Sequence, residues 1–190
     1  MARLRGDASV DHVRKRPDAI AVAGYNGCMT MATMTTTEQF TINSPVGPLD
    51  VTVVDGRLRR VLFDGSGRID DAFVDRSGIA RHLRAYFDGD LEAINGVDIE
   101  LVGTPFQLSV WEVLRTIPVG ETMSYLDVAA AVGRPTSSRA VGNAVGSNRI
   151  PVVVPCHRVI TSAGGLGGFG GGLDRKRWLL GHEGVLPTLL

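Results

Sequence analysis

A regular alternation of apolar and polar positions begins at Gln39. Phe40 and Ile42 alternate with polar neighbours, and Ser44-Pro45-Val46-Gly47-Pro48 turns the chain. Leu49 to Val54 then reads as a second strand, Asp55-Gly56 as a hairpin signal, and Leu58 to Phe63 as a third strand. The pattern predicts a small antiparallel meander. After a polar connection the period lengthens: Ile79, Leu83, Tyr86 and Phe87 recur at helical spacing, so one helix can cover one face of the sheet. Residues 38–103 are therefore expected to form an α/β N-terminal domain.

Past Gly103 the pattern is one of short helices and loops. Thr104-Pro105-Phe106-Gln107 is a capping box with proline at the first helical position, and Phe106, Val110, Val113, Leu114 and Ile117 continue an apolar face until Pro118. Ser124, with Asp127 three residues on, caps a second helix from Tyr125 to Val132 that stops at Gly133. Arg134-Pro135-Thr136 turns the chain into a third helix, from Ser137 to about Ser147. Two short helices joined by a tight turn are a helix-turn-helix candidate. The expected fold class is an α/β N-terminal domain, with a small antiparallel sheet and covering helix, plus a mainly α C-terminal domain over 104–186 with a winged-helix-like helix-turn-helix. Residues 1–37 mix charges and small residues without a period and are expected to be a disordered extension, with 187–190 as a tail.

Composition narrows the class. The chain of 190 residues is 44% hydrophobic and 21% charged, ordinary for a water-soluble protein. No apolar run approaches the ~20 residues that cross a bilayer, so no membrane association is expected. Cys28 and Cys156 are the two cysteines. They give no disulfide framework, and a reducing, cytoplasmic location is the simpler assumption. The formal net charge of zero hides an asymmetry: residues 39–103 carry seven Arg against eleven Asp or Glu, whereas residues 104–190 carry eight Arg or Lys against five acids. A basic partner surface is thus expected in the C-terminal half.

The third helix is poor by propensity. Ser138-Arg139-Ala140-Val141-Gly142-Asn143-Ala144-Val145-Gly146 contains two glycines, each costing about 1 kcal/mol relative to alanine. Close approach to another surface offsets that cost, and packing against a neighbouring helix explains the small residues as well as a ligand does. Packing does not explain Arg139, a long cation in a first turn where the helix dipole disfavours positive charge. Its position makes sense if it projects to a polyanion or into a base stack.

The run Ile150-Pro151-Val152-Val153-Val154 reads as a short buried strand, and Pro155-Cys156-His157-Arg158-Val159-Ile160 follows it. A free cysteine has a pKa of about 8.5, so Cys156 is a nucleophile only if a nearby cation or base draws off its proton. His157 is the obvious candidate. In a regular strand, however, neighbouring side chains point to opposite faces, so either the strand ends at Pro155 or the imidazole acts indirectly, for instance through water.

The hexapeptide, together with Tyr125, Ser138-Arg139-Ala140-Val141-Gly142, Asn148, a glycine-rich loop and Trp178-Leu179-Leu180-Gly181-His182-Glu183-Gly184, closely resembles the O6-alkylguanine-DNA alkyltransferases, or methylated-DNA–protein-cysteine methyltransferases. The resemblance is continuous from about Thr104 to Gly184 and looser over 39–103. It implies direct-reversal DNA repair: Cys156 irreversibly accepts the alkyl group of O6-alkylguanine, and less readily of O4-alkylthymine, in a single turnover. By the same resemblance His157 is the base acting through a water, Glu183 its orienting carboxylate, Asn148 the tie between recognition helix and active-site turn, and Tyr125 the donor to guanine N3.

Substrate contacts are implied for Val159, Phe169 and Gly170, and Arg139 is the finger filling the gap left by a flipped base. Members often carry tyrosine and serine where Phe169 and Gly170 stand. The implied DNA-binding set is Thr136, Ser137, Ser138, Arg139, Ala140, Gly142 and Asn143, with the helix-turn-helix entering the minor groove. The loop Gly164–Gly172 lacks the Gly-Lys-Ser/Thr ending of a phosphate-binding loop, so nucleotide binding is rejected. No metal or other cofactor is expected. The expected partner is double-stranded DNA containing O6-alkylguanine, bound by a monomer, with cooperativity left open. A silent alkyltransferase-like module would lack Cys156, a fused transcriptional activator would need a cysteine-rich region upstream, and a cysteine hydrolase would turn over repeatedly.

Overall fold

Strands β1 (Thr37–Ile42), β2 (Leu49–Val54) and β3 (Arg57–Phe63) form an antiparallel meander in that order, with Phe40 opposite Val51 and Val51 opposite Val61. The β2–β3 hairpin turns through Asp55 (φ 49°) and Gly56 (φ 78°), the pair of positive φ angles that matches the right-handed twist of the strands. Period-two alternation puts Phe40, Ile42, Leu49, Val51 and Val53 into one core, and Leu58 and Val61 of β3, three residues apart, join them there. Helix α1 (Ile79–Phe87) buries Ile79, Leu83, Tyr86 and Phe87 in that same core. The computed structural model describes residues 35–65 and 75–185. Most of the extension expected over 1–37, and the 187–190 tail, lie outside the described residues; Thr37 itself opens β1.

The helical half follows its capping signals. Helix α2 (Pro105–Arg115) has both halves of the capping box, Gln107 N–H donating to Thr104 Oγ1 and Thr104 N–H to Gln107 Oε1. Its Val110, Trp111 and Leu114 are buried, and Trp111 Nε1 donates to the Ala144 carbonyl at 2.8 Å. A two-residue strand β4 (Met123–Ser124) leads into α3 (Tyr125–Ala131), capped by the reciprocal Ser124–Asp127 bonds and released at Gly133, φ 72°. Helix α4 (Ser138–Gly146) packs on α2 and α3, and α5 (Leu173–His182) closes the fold. A parallel pairing of β4 with β5 (Val159–Ile160) holds the start of α3 beside the Cys156 segment.

One expected element is absent. Residues Ile150 to Val154 are not a strand: Val154 N–H donates to the Ile150 carbonyl at 2.9 Å, and Val152 adopts φ 76°. The cause lies just upstream. Asn148 accepts the Ile150 N–H through Oδ1 and donates through Nδ2 to the Val154 carbonyl, so one side chain closes the segment into a turn. A buried apolar run satisfies a strand pattern and a buried turn equally. The cost of a β-branched residue in the left-handed region is about 1–3 kcal/mol, offset by the complete burial of Val152.

The described residues belong to one compact unit, Met34–Leu190. Leu58 bridges to Ile99, and Val61 N–H donates to the Arg149 carbonyl at 2.8 Å, joining the sheet to the segment after α4. The fold is thus a small antiparallel sheet with helices. None of its helices is long and apolar enough to cross a membrane among the described residues.

Two substitutions separate local from global contributions. Thr104→Ala should lose about 1 kcal/mol by removing a cap. Leu58→Ala, at a fully buried site, should lose about 2–5 kcal/mol. Urea unfolding read by tryptophan fluorescence checks both; equal losses would contradict the placement of Leu58.

Candidate active site

Cys156 heads a short 3-10 turn, Cys156–Arg158, that follows Pro155. The turn resolves the strand-geometry problem, because it frees His157 from the opposite face of a pleat. Cys156 is 5% exposed, and its Sγ accepts a hydrogen bond from Asn148 Nδ2 at 3.1 Å. Asn148 therefore closes the Ile150 to Val154 turn and touches the sulfur with the same amide nitrogen. Burial pushes the Cys156 thiol up, against the Asn148 hydrogen bond and the charge of Lys176, which pull it down. At rest the sulfur is protonated, so its reactivity depends on a proton acceptor.

The candidate acceptor, His157, is itself defined by the carboxylate behind it. His157 is fully buried and its Nε2 lies 3.0 Å from Glu183 Oε1. Burial pushes Glu183 up, but hydrogen bonds and charge from His157 and Arg158 outweigh it and bring the group down to about 2. An ionised carboxylate can only accept, so Nε2 carries the imidazole proton. Burial lowers His157 from 6.5, more than Glu183 raises it, so the ring is neutral near pH 7. Its Nδ1 is then a bare lone pair, buried and without a hydrogen-bond partner among the described residues.

Glu183 sits at the C-cap of α5, where the helix dipole disfavours negative charge. Four donors hold it there. Arg158 gives Nε to Oε2 and Nη2 to Oε1, both at 2.8 Å, while its Nη1 donates to the Ile117 carbonyl at 2.6 Å. Tyr86 of α1 donates its hydroxyl to Oε1 at 2.8 Å, and His157 supplies the fourth bond. Three of the four bonds converge on Oε1 and one ends on Oε2, and the bidentate arginine adds the strongest pair. The adjacent His182 Nε2 lies 2.7 Å from the Tyr86 carbonyl, so α1 is joined to α5 at two successive residues.

Two neighbouring cavities open on the sulfur. One, of about 220 Å³, is lined by Val61, Phe63, Asn148, Pro151, Cys156 and Phe169 among others. The second, of about 140 Å³, is lined by Tyr125, Gly142, Val145, Gly146, Cys156, Gly168, Phe169 and Gly170. Tyr125 is half-buried at the first position of α3, and burial raises its hydroxyl, which is 3.4 Å from the Gly168 carbonyl and remains a donor. Phe169 meets Phe63 edge-on at 5.7 Å between centroids. Val159 is fully buried, and its carbonyl accepts from Lys176 Nζ, which also reaches the carbonyls of Leu166 and Gly168. Burial lowers Lys176 to about 8. This one ammonium ties the glycine-rich loop to the segment beneath it.

The remaining expected residues gather on the outer face of α4 and the turn before it. Thr136, Arg139, Ala140 and Asn143 are exposed, and Ser137, Ser138 and Gly142 are half-buried. Val141, Ala144 and Val145 face inward. A Cβ added at Gly146 would meet nothing within 4 Å, and one at Gly142 would meet only the Tyr125 ring at an ordinary 3.9 Å. Packing against a neighbouring helix is therefore not what the two glycines serve. Of the expected DNA-facing residues, Gly142 also lines the smaller cavity with Cys156.

Residues 105–185 match the family described as "6-O-methylguanine DNA methyltransferase, DNA binding domain". A methylated-DNA–protein-cysteine methyltransferase of Shigella flexneri is 52% identical over 109 residues, 57% of this chain; the chain spans 64% of that relative's length. A protein of the same description from Mycobacterium bovis is 44% identical over 152 residues, 75% of this chain and 90% of the relative. The chain belongs to the methylated-DNA–protein-cysteine methyltransferase family. Among solved structures, that of Mycobacterium tuberculosis OGT in complex with DNA is similar, with a TM-score of 0.65 and 39% identity over 78% of this chain and 94% of that one.

Three residues of this family member's site escaped the sequence reading. Arg158 stands inside the quoted hexapeptide, where a charged residue reads as exposed. Lys176 lies in the charged run Asp174-Arg175-Lys176-Arg177, but its spacing of three and four residues from Leu179 and Leu180 marks the buried face of α5. Tyr86 was legible as core; nothing in the chain signals that its hydroxyl meets a carboxylate 97 residues away.

The network predicts acid lability. Glu183 and His157 both have folded values below their ordinary ones, so the native state binds these protons less readily than the unfolded chain does. Their stabilising contribution is complete above pH 6.5, and it is lost as pH falls through 6.5 for His157 and from 4.5 toward 2 for Glu183. Urea midpoints measured across this range should fall steadily; a flat profile would contradict the network. Tyr86→Phe should cost roughly 1.5–3 kcal/mol at neutral pH, the worth of a hydrogen bond to a charged group.

Proposed function

We propose that this protein repairs DNA by direct reversal, transferring the alkyl group of O6-alkylguanine, and less readily of O4-alkylthymine, to its own Cys156. One observation carries the reading: a buried thiol faces cavities that border the bare helix α4, beside a neutral imidazole whose Nε2 proton is fixed by an ionised carboxylate. His157 Nδ1 takes the thiol proton through a water, and Sγ then displaces guanine O6 from the alkyl carbon in line. As the C–O bond breaks, the Tyr125 hydroxyl donates to guanine N3 and improves the leaving group. The product is a thioether with no good leaving group, so each molecule acts once. Glu183 and Arg158 hold the imidazole in the required tautomer, and Asn148 sets the sulfur's position.

The DNA reading rests on α3 and α4 as a winged-helix-like helix-turn-helix in the minor groove. Ala140, Gly142 and Gly146 leave the outer face nearly without side chains, which suits a narrow groove. Arg139 projects from this face and enters the stack in place of the flipped base. Thr136, Ser137, Ser138 and Asn143 lie against the backbone. Phe169 and the Gly170 amide wall the base pocket, and the Val159 carbonyl, already engaged by Lys176, has its second lone pair for the guanine amine. Residues 38–103 act as a domain that braces 104–186, and a monomer suffices for the reaction.

Incubation with a duplex carrying labelled O6-methylguanine should place one equivalent of label on Cys156 and then stop. Continued turnover, or label on another residue, would falsify the proposal. Cys156→Ala should abolish transfer and retain duplex binding, and transfer by the unaltered protein should persist as pH falls through 6.5 and slow only further down, because burial holds His157 neutral below its ordinary range. Gly142→Ala should raise helix stability by about 1 kcal/mol in urea unfolding while weakening duplex affinity; tighter binding to DNA would remove the bare-face argument.

A further inference from the structure

Strand β3 carries a basic groove that the proposed chemistry does not use. Thr52 pairs with Arg60 and Val53 with Leu58, so Arg59 is an extra residue in the strand, a bulge. The bulge breaks the period-two alternation: Leu58 and Val61 point into the core while Arg59 and Arg60, adjacent in sequence, are both exposed. Arg149 joins them from the segment after α4, held there by the bond from Val61 N–H to its carbonyl. The three arginines line one groove of about 180 Å³, whose wall includes Leu101, Val102 and Trp111 at the approach to α2.

The charge in this groove is unbalanced. Arg57, further along β3, pairs with Asp98 at 3.7 Å, but Arg59, Arg60 and Arg149 have no ion pair or side-chain hydrogen bond among the described residues. Glu100 is the one acid in the groove's lining. Three exposed guanidiniums without partners repel one another, and a ligand bringing negative charge at several points relieves that repulsion. Arg59 and Arg60 belong to the part of the chain that is acidic by composition, whereas Arg149 comes from the basic part, so the cluster draws positive charge from both.

Position identifies the occupant. Arg149 follows Asn148, which touches the Cys156 sulfur, and Arg60 lies three residues from Phe63, which lines the cavity at that sulfur. At about 3.3 Å per strand residue, the groove is only ~10 Å from the cavity along β3. A duplex seated on α4 extends much further, since one helical turn is about 34 Å. We infer that Arg59, Arg60 and Arg149 form a second contact with the sugar-phosphate backbone of the same duplex, flanking the damaged base. This inference rests on the proposed DNA binding. It assigns the β-bulge a function, namely to aim two consecutive arginines at phosphates.

The test compares Arg59→Ala/Arg60→Ala/Arg149→Ala with Arg139→Ala and the unaltered protein. Affinity for a fluorescent duplex is measured over a salt series, and alkyl transfer from free O6-benzylguanine reports the pocket alone. The triple variant should retain the reaction with the free base at an unchanged rate. Its duplex affinity should be reduced, and the slope of log affinity against log salt should be shallower by roughly 2–3, one counterion per lost phosphate contact. An unchanged slope in the triple variant, with Arg139→Ala weakened, overturns the groove and leaves the DNA reading standing. An unchanged slope accompanied by a shift in sedimentation would assign the groove to a second copy of the chain and likewise overturn the inference. Failure of the unaltered protein to bind the duplex overturns both.

Discussion

The carboxylate of Glu183 is the constraint on which the rest of the site depends. It lies at a helix C-terminus, buried, where solvation and dipole both oppose its charge. Four hydrogen bonds from two other segments make that charge tenable: one from His157 and two from Arg158 in the Cys156 turn, and one from Tyr86 in α1. The ionised state in turn fixes the histidine tautomer, and the tautomer leaves a bare nitrogen to accept a proton. Removing any one donor leaves a buried charge under-solvated, so fold and chemistry share a single electrostatic solution.

Asn148 plays the corresponding part for the sulfur. Its two amide atoms replace the ladder that the Ile150 to Val154 run would otherwise need, and the same nitrogen contacts Cys156. Because Asn148 follows the C-cap of α4, a displacement of that helix is transmitted to the Cys156 sulfur through one side chain. Lys176 does the same for the opposite wall, where three carbonyls converge on one ammonium. The pocket's precision comes from polar side chains satisfying backbone groups that irregular segments leave unpaired.

Reactivity here is kept latent. The thiol is held protonated by burial and the imidazole neutral by the same cause, so the resting pair carries no exposed charge. A pre-formed thiolate, by contrast, would invite oxidation and metals. The proposed transfer requires the proton to move only once substrate is seated, which suits a protein that is consumed by one event.

Much of this was legible along the chain. The meander, the covering helix, both capping boxes and the stop at Gly133 follow from residue type and spacing, because each depends on neighbours a few residues away. The Cys156, His157 and Glu183 set was legible from its motif. The strand expected over Ile150 to Val154 was not, since an asparagine outside the run decides its conformation. Tyr86, Arg158 and Lys176 stayed hidden for a related reason: their roles follow from burial and from partners far off in sequence. The sequence by itself determined the local elements and the chemical inventory. The tertiary structure alone decided protonation, tautomer and which surfaces stay bare, because these depend on desolvation and on charges brought together only when the chain closes on itself.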